Sequence, residues 1–202
     1  MKPRLIVEQK ITAFTNQYRI FGANEDGSKA SLVAFAQQKR LAFKEKVSFY
    51  SDETKQNLVF SFRAEKVMDV HGKYFVEDSS GSRIGAFKKE FKKSLISSTW
   101  SVLDSSDSPI LVVAESNKPL AIIRRVGGYI PFVGMIIELV TAFLRYHFVF
   151  KKPGSGEIRG TYMKTTLFRD HYQLNMDDET YGAHDWRVLA AVAVALDALQ
   201  SR

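Results

Sequence analysis

The sequence contains no cysteine among its 202 residues. This absence excludes disulfide bonds, thiol nucleophiles and Cys-ligated zinc, and it fits a reducing compartment. The first eight residues also lack the apolar core of about 7–15 residues that a secretory signal needs. We therefore expect a cytoplasmic protein, with peripheral attachment to a membrane as an extension of this prediction.

Long apolar runs are lacking as well, since a membrane-spanning helix needs roughly 20 such residues. The apolar run at the C-terminus covers only nine residues, 188–196, between Arg187 and Asp197. The stretch 129–150 is interrupted by proline, glycine and charged residues. Neither stretch is expected to span a bilayer.

Catalytic and phosphate-binding motifs are absent too: we find no H-E-x-x-H, no G-x-S-x-G, no Walker loop and no strand-linked G-x-G-x-x-G. The acids Asp177, Asp178, Glu179 and Asp185 do not follow the D-x-D-x-D-G spacing of a calcium loop. We expect them to solvate a loop at 177–182 and to favour the start of the last helix. The sequence thus predicts no enzyme, no cofactor and no metal site.

The last eighteen residues predict a helix that is apolar on every side. Asp185 is a suitable N-cap, alanine and leucine favour helix, and neither glycine nor proline interrupts residues 186–200. Because such a helix must be surrounded by apolar groups, we expect it to lie in the core.

Residues 5–125 show short runs of β-branched and aromatic residues between Asp/Ser/Gly clusters, which predict antiparallel hairpins. The first apolar residues after four of these clusters are 32, 58, 84 and 110, an interval of 26. A fixed interval indicates a repeated hairpin unit, although hairpins of similar length would give similar spacing. Beyond Ile123 the pattern predicts a helix at 135–144 and strands at 145–150, 158–168 and 172–176.

About twelve strands and one apolar helix favour a closed antiparallel β-barrel that encloses the helix at 186–200. A barrel of this size has room for a helix roughly 10 Å wide, and closure removes the free strand edges. We predict one domain over 1–202, with a hydrophobic insertion at about 124–146.

Three segments resemble the LURP-one-related proteins, which belong with the tubby C-terminal domain and the phospholipid scramblases. The segments are Val70–Asp78 with Gly85, Trp100–Asp104 and, most specifically, Asp185–Leu199. The resemblance implies a twelve-stranded barrel threaded by its C-terminal helix. It also implies phosphoinositide binding, as in tubby domains, or lipid translocation, as in scramblases. The proline-rich segment and the clustered cysteines of animal scramblases are missing here.

Net charge is +7 and the isoelectric point is near 9.5, which favours anionic partners. We expect anionic phospholipid head groups as ligand; nucleic acid, an acidic protein and self-association of a structural barrel are the alternatives. The candidate head-group residues are Lys88, Lys89, Lys92, Lys93, Arg124, Arg125, Lys39 and Arg40. A solvated hairpin whose lysines deter edge pairing is the other interpretation of these clusters.

The apolar stretch 129–144 is the second candidate contact. It is too interrupted to span a bilayer, but it could lie partly inserted at the membrane surface. The candidate membrane-contacting residues are Tyr129, Ile130, Phe132, Val133, Ile136 and Phe143. A helical cap packed over the barrel mouth is the alternative.

Overall fold

The computed structural model describes residues 1–12, 15–39, 46–65, 72–90, 99–115, 148–166 and 170–200. These ranges contain twelve strands and two helices. The strands are β1 (Lys2–Ile11), β2 (Thr15–Ala23), β3 (Lys29–Lys39), β4 (Lys46–Tyr50), β5 (Leu58–Ala64), β6 (Lys73–Asp78), β7 (Arg83–Lys89), β8 (Thr99–Leu103), β9 (Pro109–Glu115), β10 (Phe148–Lys151), β11 (Ile158–Lys164) and β12 (Asp170–Met176). The helices are α1 (Asp178–Ala183) and α2 (Trp186–Gln200).

The strands form one closed antiparallel barrel in which each strand pairs with its neighbours in the sequence. The barrel closes where β1 pairs with β12, with Lys2 opposite Met176 and Val7 opposite Tyr172. The predicted closed barrel is therefore confirmed. Closure leaves no strand of the sheet with an unpaired edge.

Alternation along the strands directs apolar side chains to the barrel interior. Tyr18 and Ile20 of β2 are fully buried, whereas Arg19 between them pairs with Glu53 on the surface. Phe60 and Phe62 of β5 also face inward, since alternate residues of a strand lie on the same side of a sheet. The ring of Phe60 stacks on Phe49 with centroids 4.2 Å apart.

Helix α2 fills the interior of the barrel. Every residue from Val188 to Leu196 is at most 2 % exposed, so the helix is surrounded on all sides. The predicted N-cap is also confirmed, because the Asp185 carboxylate accepts a hydrogen bond of 2.9 Å from the backbone N–H of Arg187. An enclosed helix of this kind has no polar face because no side of it meets water.

Gly85 allows α2 to approach the barrel wall. A Cβ atom at this position on β7 would lie 2.8 Å from Val188 Cγ2 and 3.0 Å from the Leu103 carbonyl oxygen. Because the helix and the neighbouring strand are both packed, neither has space to withdraw. We expect Gly85→Ala to lower the free energy of unfolding by about 1–3 kcal/mol, as measured by urea denaturation.

Gly182 offers a matched control for this substitution. It lies in α1, and an added Cβ would meet no atom within 4 Å. Since alanine is the better helix former, Gly182→Ala should leave stability unchanged or slightly higher. Equal losses at both positions would contradict the close approach of α2 to β7.

The 26-residue interval reflects a shared turn in three hairpins. Asp52, Asp78 and Asp104 each accept, at Oδ1, a hydrogen bond from the backbone N–H two residues later, over 2.8, 2.9 and 2.8 Å. The third residue after each aspartate has a positive φ of 59°, 83° and 67°. For these three hairpins the predicted repeat is confirmed.

The first hairpin departs from the repeat. Its turn begins at Asn24, whose backbone N–H donates to Ser28 as Asp78 does to Ser82. Asn24 lies 28 residues before Asp52 instead of 26. The ladder between β2 and β3 shifts register twice between Ile20 and Ala23. The turn itself resembles the one at Asp78, because the Gly27 N–H donates to the Asn24 carbonyl oxygen and Gly27 has a φ of 80°; only its position departs from the interval of 26.

The predicted acidic loop at 177–182 is wrong, because these residues form α1. Asp177 caps the helix by accepting from the Thr180 N–H over 2.7 Å. Asp178 and Glu179 occupy its first turn, where negative charge is favourable. A helix of six residues is too short to show a helical period, so the cap was the only available signal.

The predicted hydrophobic insertion at 124–146 and the predicted helix at 135–144 lie outside the described residues. Residues 148–150 of the predicted strand at 145–150 belong to β10.

Candidate functional site

Lys88 and Lys89 are the two predicted head-group residues whose side chains are described. They point to opposite sides of β7. Phe87 lies in the core and Gly85 faces α2, so their side of the strand is the inner side. Lys89 has the same parity and lies over Trp100, with Nζ 5.7 Å from the ring centroid. Lys88 faces outward, opposite Lys73 of β6. Adjacent lysines on a strand therefore do not form one patch.

The other predicted contacts fall outside the part of the chain whose side chains are described. Lys39 is the last residue of β3, but its side chain is outside the described part. The remaining residues are Arg40, Lys92, Lys93, Arg124, Arg125, Tyr129, Ile130, Phe132, Val133, Ile136 and Phe143.

A set of cations surrounds one aromatic ring on the outer face of β5, β6 and β7. Phe75 projects outward from β6 and lies directly opposite Arg63 of β5. Arg63 Cζ, Lys73 Nζ and Arg83 Cζ lie 5.5, 5.1 and 4.5 Å from the centroid of the Phe75 ring. Each distance is within the range of a cation–π interaction. We call these four residues the Phe75 cluster.

Two carboxylates neutralise part of this charge. Glu77 accepts from Arg63 Nε over 2.8 Å. Asp107, from the turn between β8 and β9, pairs with Lys73 over 2.8 Å and also with Arg83. Hydrogen bonds from Arg83 and then Lys73 lower the pKa of Asp107 to about 2. Asp107 is therefore ionised at neutral pH and occupies the position between the two cations.

Lys88 extends the basic outer face towards the end of β7, whereas Lys89 lies on the other side of the strand. Lys88 contacts Glu90 over 3.4 Å, whereas no carboxylate among the described residues lies within ion-pair distance of Lys89. Together with Arg63, Lys73 and Arg83, Lys88 gives this face four cations against Glu77, Glu90 and Asp107. The excess of positive charge makes it the best-supported anion-binding surface of the described chain.

Sequence reasoning found Lys88 and Lys89 but missed Arg63, Lys73 and Arg83. Those three residues are ten positions apart in the sequence, and none lies in a basic run. They converge because β5, β6 and β7 pair side by side. Outward parity and hairpin register could have identified Arg63 and Lys73, but Arg83 has the parity of Gly85 and faces outward only because the β6–β7 ladder shifts register between Val76 and Glu77.

A second surface feature is an open cleft of about 380 Å³ beside α1. Its lining includes Lys152, Arg159, Glu179 and His184. Arg159 is held by Glu179 over 2.9 Å and by Glu157 over 3.0 Å, and burial lowers the pKa of His184. Because acids surround the arginine and the histidine is neutral at physiological pH, this cleft favours anions less than the Phe75 cluster does.

The acids near the last helix are engaged separately. Asp178 pairs with Arg4, Glu179 with Arg159, and Asp185 with Arg187, while Asp177 caps α1. Among the residues with described positions, no group of three histidine, aspartate or glutamate side chains is arranged to hold a metal ion. Their arrangement is that of structural ion pairs.

Within the described ranges, neither α1 nor α2 combines the length and the apolar character that a membrane-crossing helix requires. A family model described as LURP-one-related matches residues 32–197, more than half of the chain. A search of curated proteins returned no match.

Proposed function

The chain belongs to the LURP-one-related family, and we propose that it is a non-enzymatic module that associates with anionic phospholipid head groups. The contact surface is the outer face of β5, β6 and β7. The proposal places the protein in the cytoplasm, at the periphery of a membrane when it is bound.

The observation that carries this proposal is the Phe75 cluster. Arginine binds phosphate oxygens through two parallel N–H groups, and lysine adds a point charge. Each cation near an anionic membrane contributes about 1 kcal/mol. An aromatic ring among these cations supplies apolar contact at head-group level, where aromatic side chains are favoured.

The predicted residues outside the described ranges extend the same proposal. Lys92 and Lys93 lie three and four residues after the end of β7 in the sequence, and we propose that they belong to the same contact. Arg124 and Arg125 precede the apolar stretch 129–144, which would supply further apolar contact. The chemistry shared by phosphoinositides and other anionic lipids is the phosphate group, and the Phe75 cluster is suited to that group.

Neutralising the cluster should weaken vesicle binding. We expect the wild-type protein to float with vesicles that contain phosphatidylserine but not with pure phosphatidylcholine vesicles, and added salt should weaken the interaction. The triple variant Arg63→Gln, Lys73→Gln, Arg83→Gln should bind about a hundredfold more weakly, because three contributions of about 1 kcal/mol are removed. Vesicle flotation across a lipid titration measures the difference.

A second triple variant controls for net charge. Lys10, Lys151 and Lys152 lie on or next to β1 and β10, neither of which pairs with β5, β6 or β7. Changing all three to glutamine removes the same charge and should alter binding by less than the cluster variant does. An equal loss in both variants would show that binding depends on net charge alone, and no binding by the wild type would refute the lipid proposal.

Asp107→Asn changes the cluster in the opposite direction. Asparagine tolerates the positive φ of 67° at this position, but it no longer neutralises Lys73 and Arg83. Binding to the anionic vesicles should therefore strengthen, by about fivefold if one charge is worth about 1 kcal/mol. An unchanged affinity would place the contact elsewhere on the barrel.

A further inference from the structure

One acidic side chain lies inside the barrel. Asp197, near the C-terminal end of α2, is only 3 % exposed. Its carboxylate accepts hydrogen bonds from the Tyr172 hydroxyl over 2.7 Å and from the Tyr18 hydroxyl over 3.2 Å. These bonds tie the helix to β12 and β2, because the two tyrosines project inward from those strands.

Tyr162 of β11 belongs to the same interior group. Its ring stacks on that of Tyr172, with centroids 5.3 Å apart and an interplanar angle of 18°. Burial and then the charge of Asp197 raise the pKa of Tyr162, so its hydroxyl remains protonated. We call Asp197, Tyr18, Tyr162 and Tyr172 the interior polar cluster.

The Tyr162 hydroxyl is the exception in this cluster, because it is buried and has no hydrogen-bond partner among the residues that the structure describes. Tyr18 also accepts from Gln9 Nε2 over 2.7 Å, and Tyr172 donates to Asp197, so both of those hydroxyls are engaged. A buried hydroxyl without a partner is costly, and native proteins satisfy such groups with protein atoms or ordered water.

We propose that the interior polar cluster binds one ordered water molecule, which joins the Tyr162 hydroxyl to the Asp197 carboxylate. The water accepts a hydrogen bond from Tyr162 and donates one to a carboxylate oxygen. A carboxylate has about four lone-pair positions, and Tyr172 and Tyr18 occupy two of them. The cluster therefore retains acceptor capacity for the water, and the three tyrosine oxygens provide further contacts.

Water suits this position better than a cation does. The Tyr18 and Tyr172 hydroxyls direct their protons towards the carboxylate, and the Tyr162 hydroxyl carries a proton that needs an acceptor. A cation supplies no acceptor, whereas water accepts from Tyr162 and donates to Asp197 at the same time. Buried waters with two to four such partners are common parts of folded proteins.

A high-resolution crystal structure of the full chain tests the proposal directly. We expect a discrete solvent peak within about 3.0 Å of Tyr162 Oη and hydrogen-bonded to Asp197. Absence of a peak at this position, in a map that shows ordered water elsewhere inside the protein, would overturn the proposal.

The direction in which Tyr162→Phe changes the Tm provides an independent test. If the water is bound, removing the hydroxyl deprives the water and Asp197 of a partner, and the Tm should fall. If the hydroxyl is unsatisfied, its removal relieves an energetic cost, and the Tm should stay the same or rise; either result would overturn the proposal.

Tyr74→Phe is the matched control for this measurement. Tyr74 is also mostly buried, and its ring stacks on Phe87 with centroids 5.1 Å apart. It lies on β6 and makes no contact with Asp197. The fall in Tm at Tyr162 should exceed the change at Tyr74, and equal changes would count against the water.

Discussion

Val192→Asp is expected to prevent the protein from folding. Val192 lies in the middle of α2, is 1 % exposed, and is flanked on both sides by residues that are equally buried. An unpaired carboxylate here would lose its hydration, and a buried charge without a partner costs several kcal/mol even after relaxation. Because whole domains are stable by only about 5–15 kcal/mol, this one change removes most of the margin.

Circular dichroism during heating is the measurement, and two substitutions at the same position separate the causes. Val192→Ala removes two methyl groups without adding charge and should cost about 2 kcal/mol. Val192→Thr keeps the shape but replaces one methyl group with a hydroxyl. Its loss of stability should therefore lie between those of the alanine and aspartate variants. A cooperative transition of Val192→Asp near the wild-type Tm would mean that α2 is not enclosed by the barrel.

The second large effect is a pH dependence that originates from Asp197. Burial raises the pKa of this carboxyl from 3.8 to about 6, although the hydrogen bond from Tyr172 lowers it in part. Nearby Asp170 raises the pKa further and Lys164 lowers it, and those two residues pair with each other over 2.7 Å. Tyr18, Tyr162 and Tyr172 remain protonated throughout, since their own pKa values are raised.

The raised pKa makes the folded state hold a proton that the unfolded chain has already released. Between pH 4 and pH 6 the unfolded chain therefore binds fewer protons, and stability falls as the pH rises. A difference of about two pH units corresponds to about 3 kcal/mol. The contribution of Asp197 to stability is thus fully present below about pH 4 and is lost by about pH 7.

Asp197→Asn isolates this contribution because asparagine does not titrate. Several surface acids, such as Asp107, have lowered pKa values. Their contribution to the free energy of unfolding is lost as the pH falls, whereas that of Asp197 is lost as the pH rises. Their effects are shared by both proteins and cancel in the difference between the two free energies of unfolding. Urea denaturation from pH 4 to pH 8 should show that wild type loses about 3 kcal/mol relative to Asp197→Asn. A difference that does not vary with pH would contradict the raised pKa.

The fold was predictable from local patterns. Runs of β-branched and aromatic residues between Asp/Ser/Gly clusters identified hairpins, and the apolar run 188–196 predicted a helix that needs a complete apolar enclosure. The many strands predicted before the helix favoured a closed sheet as that enclosure. These inferences rest on the side-chain period of a strand and of a helix, which any sequence displays directly.

The candidate site was predictable only in part. Lys88 and Lys89 were recognised as a basic run, but a run in a sequence does not show which lysine faces outward. Arg63, Lys73 and Arg83 carry no local signal, because each is an isolated charge on its own strand. Asp197 was interpreted as the polar end of the apolar run, whereas it is a buried part of the core.

The amino-acid sequence by itself therefore determined the class of fold, the enclosed position of α2, its cap at Asp185 and the recurring turn of three hairpins. Each of these depends on residues close together in the chain. The tertiary structure alone decided the composition of the Phe75 cluster and the surroundings of Asp197. Both arise from the register between strands and from the barrel's closure, which bring distant residues such as Tyr18 and Asp197 within hydrogen-bond distance.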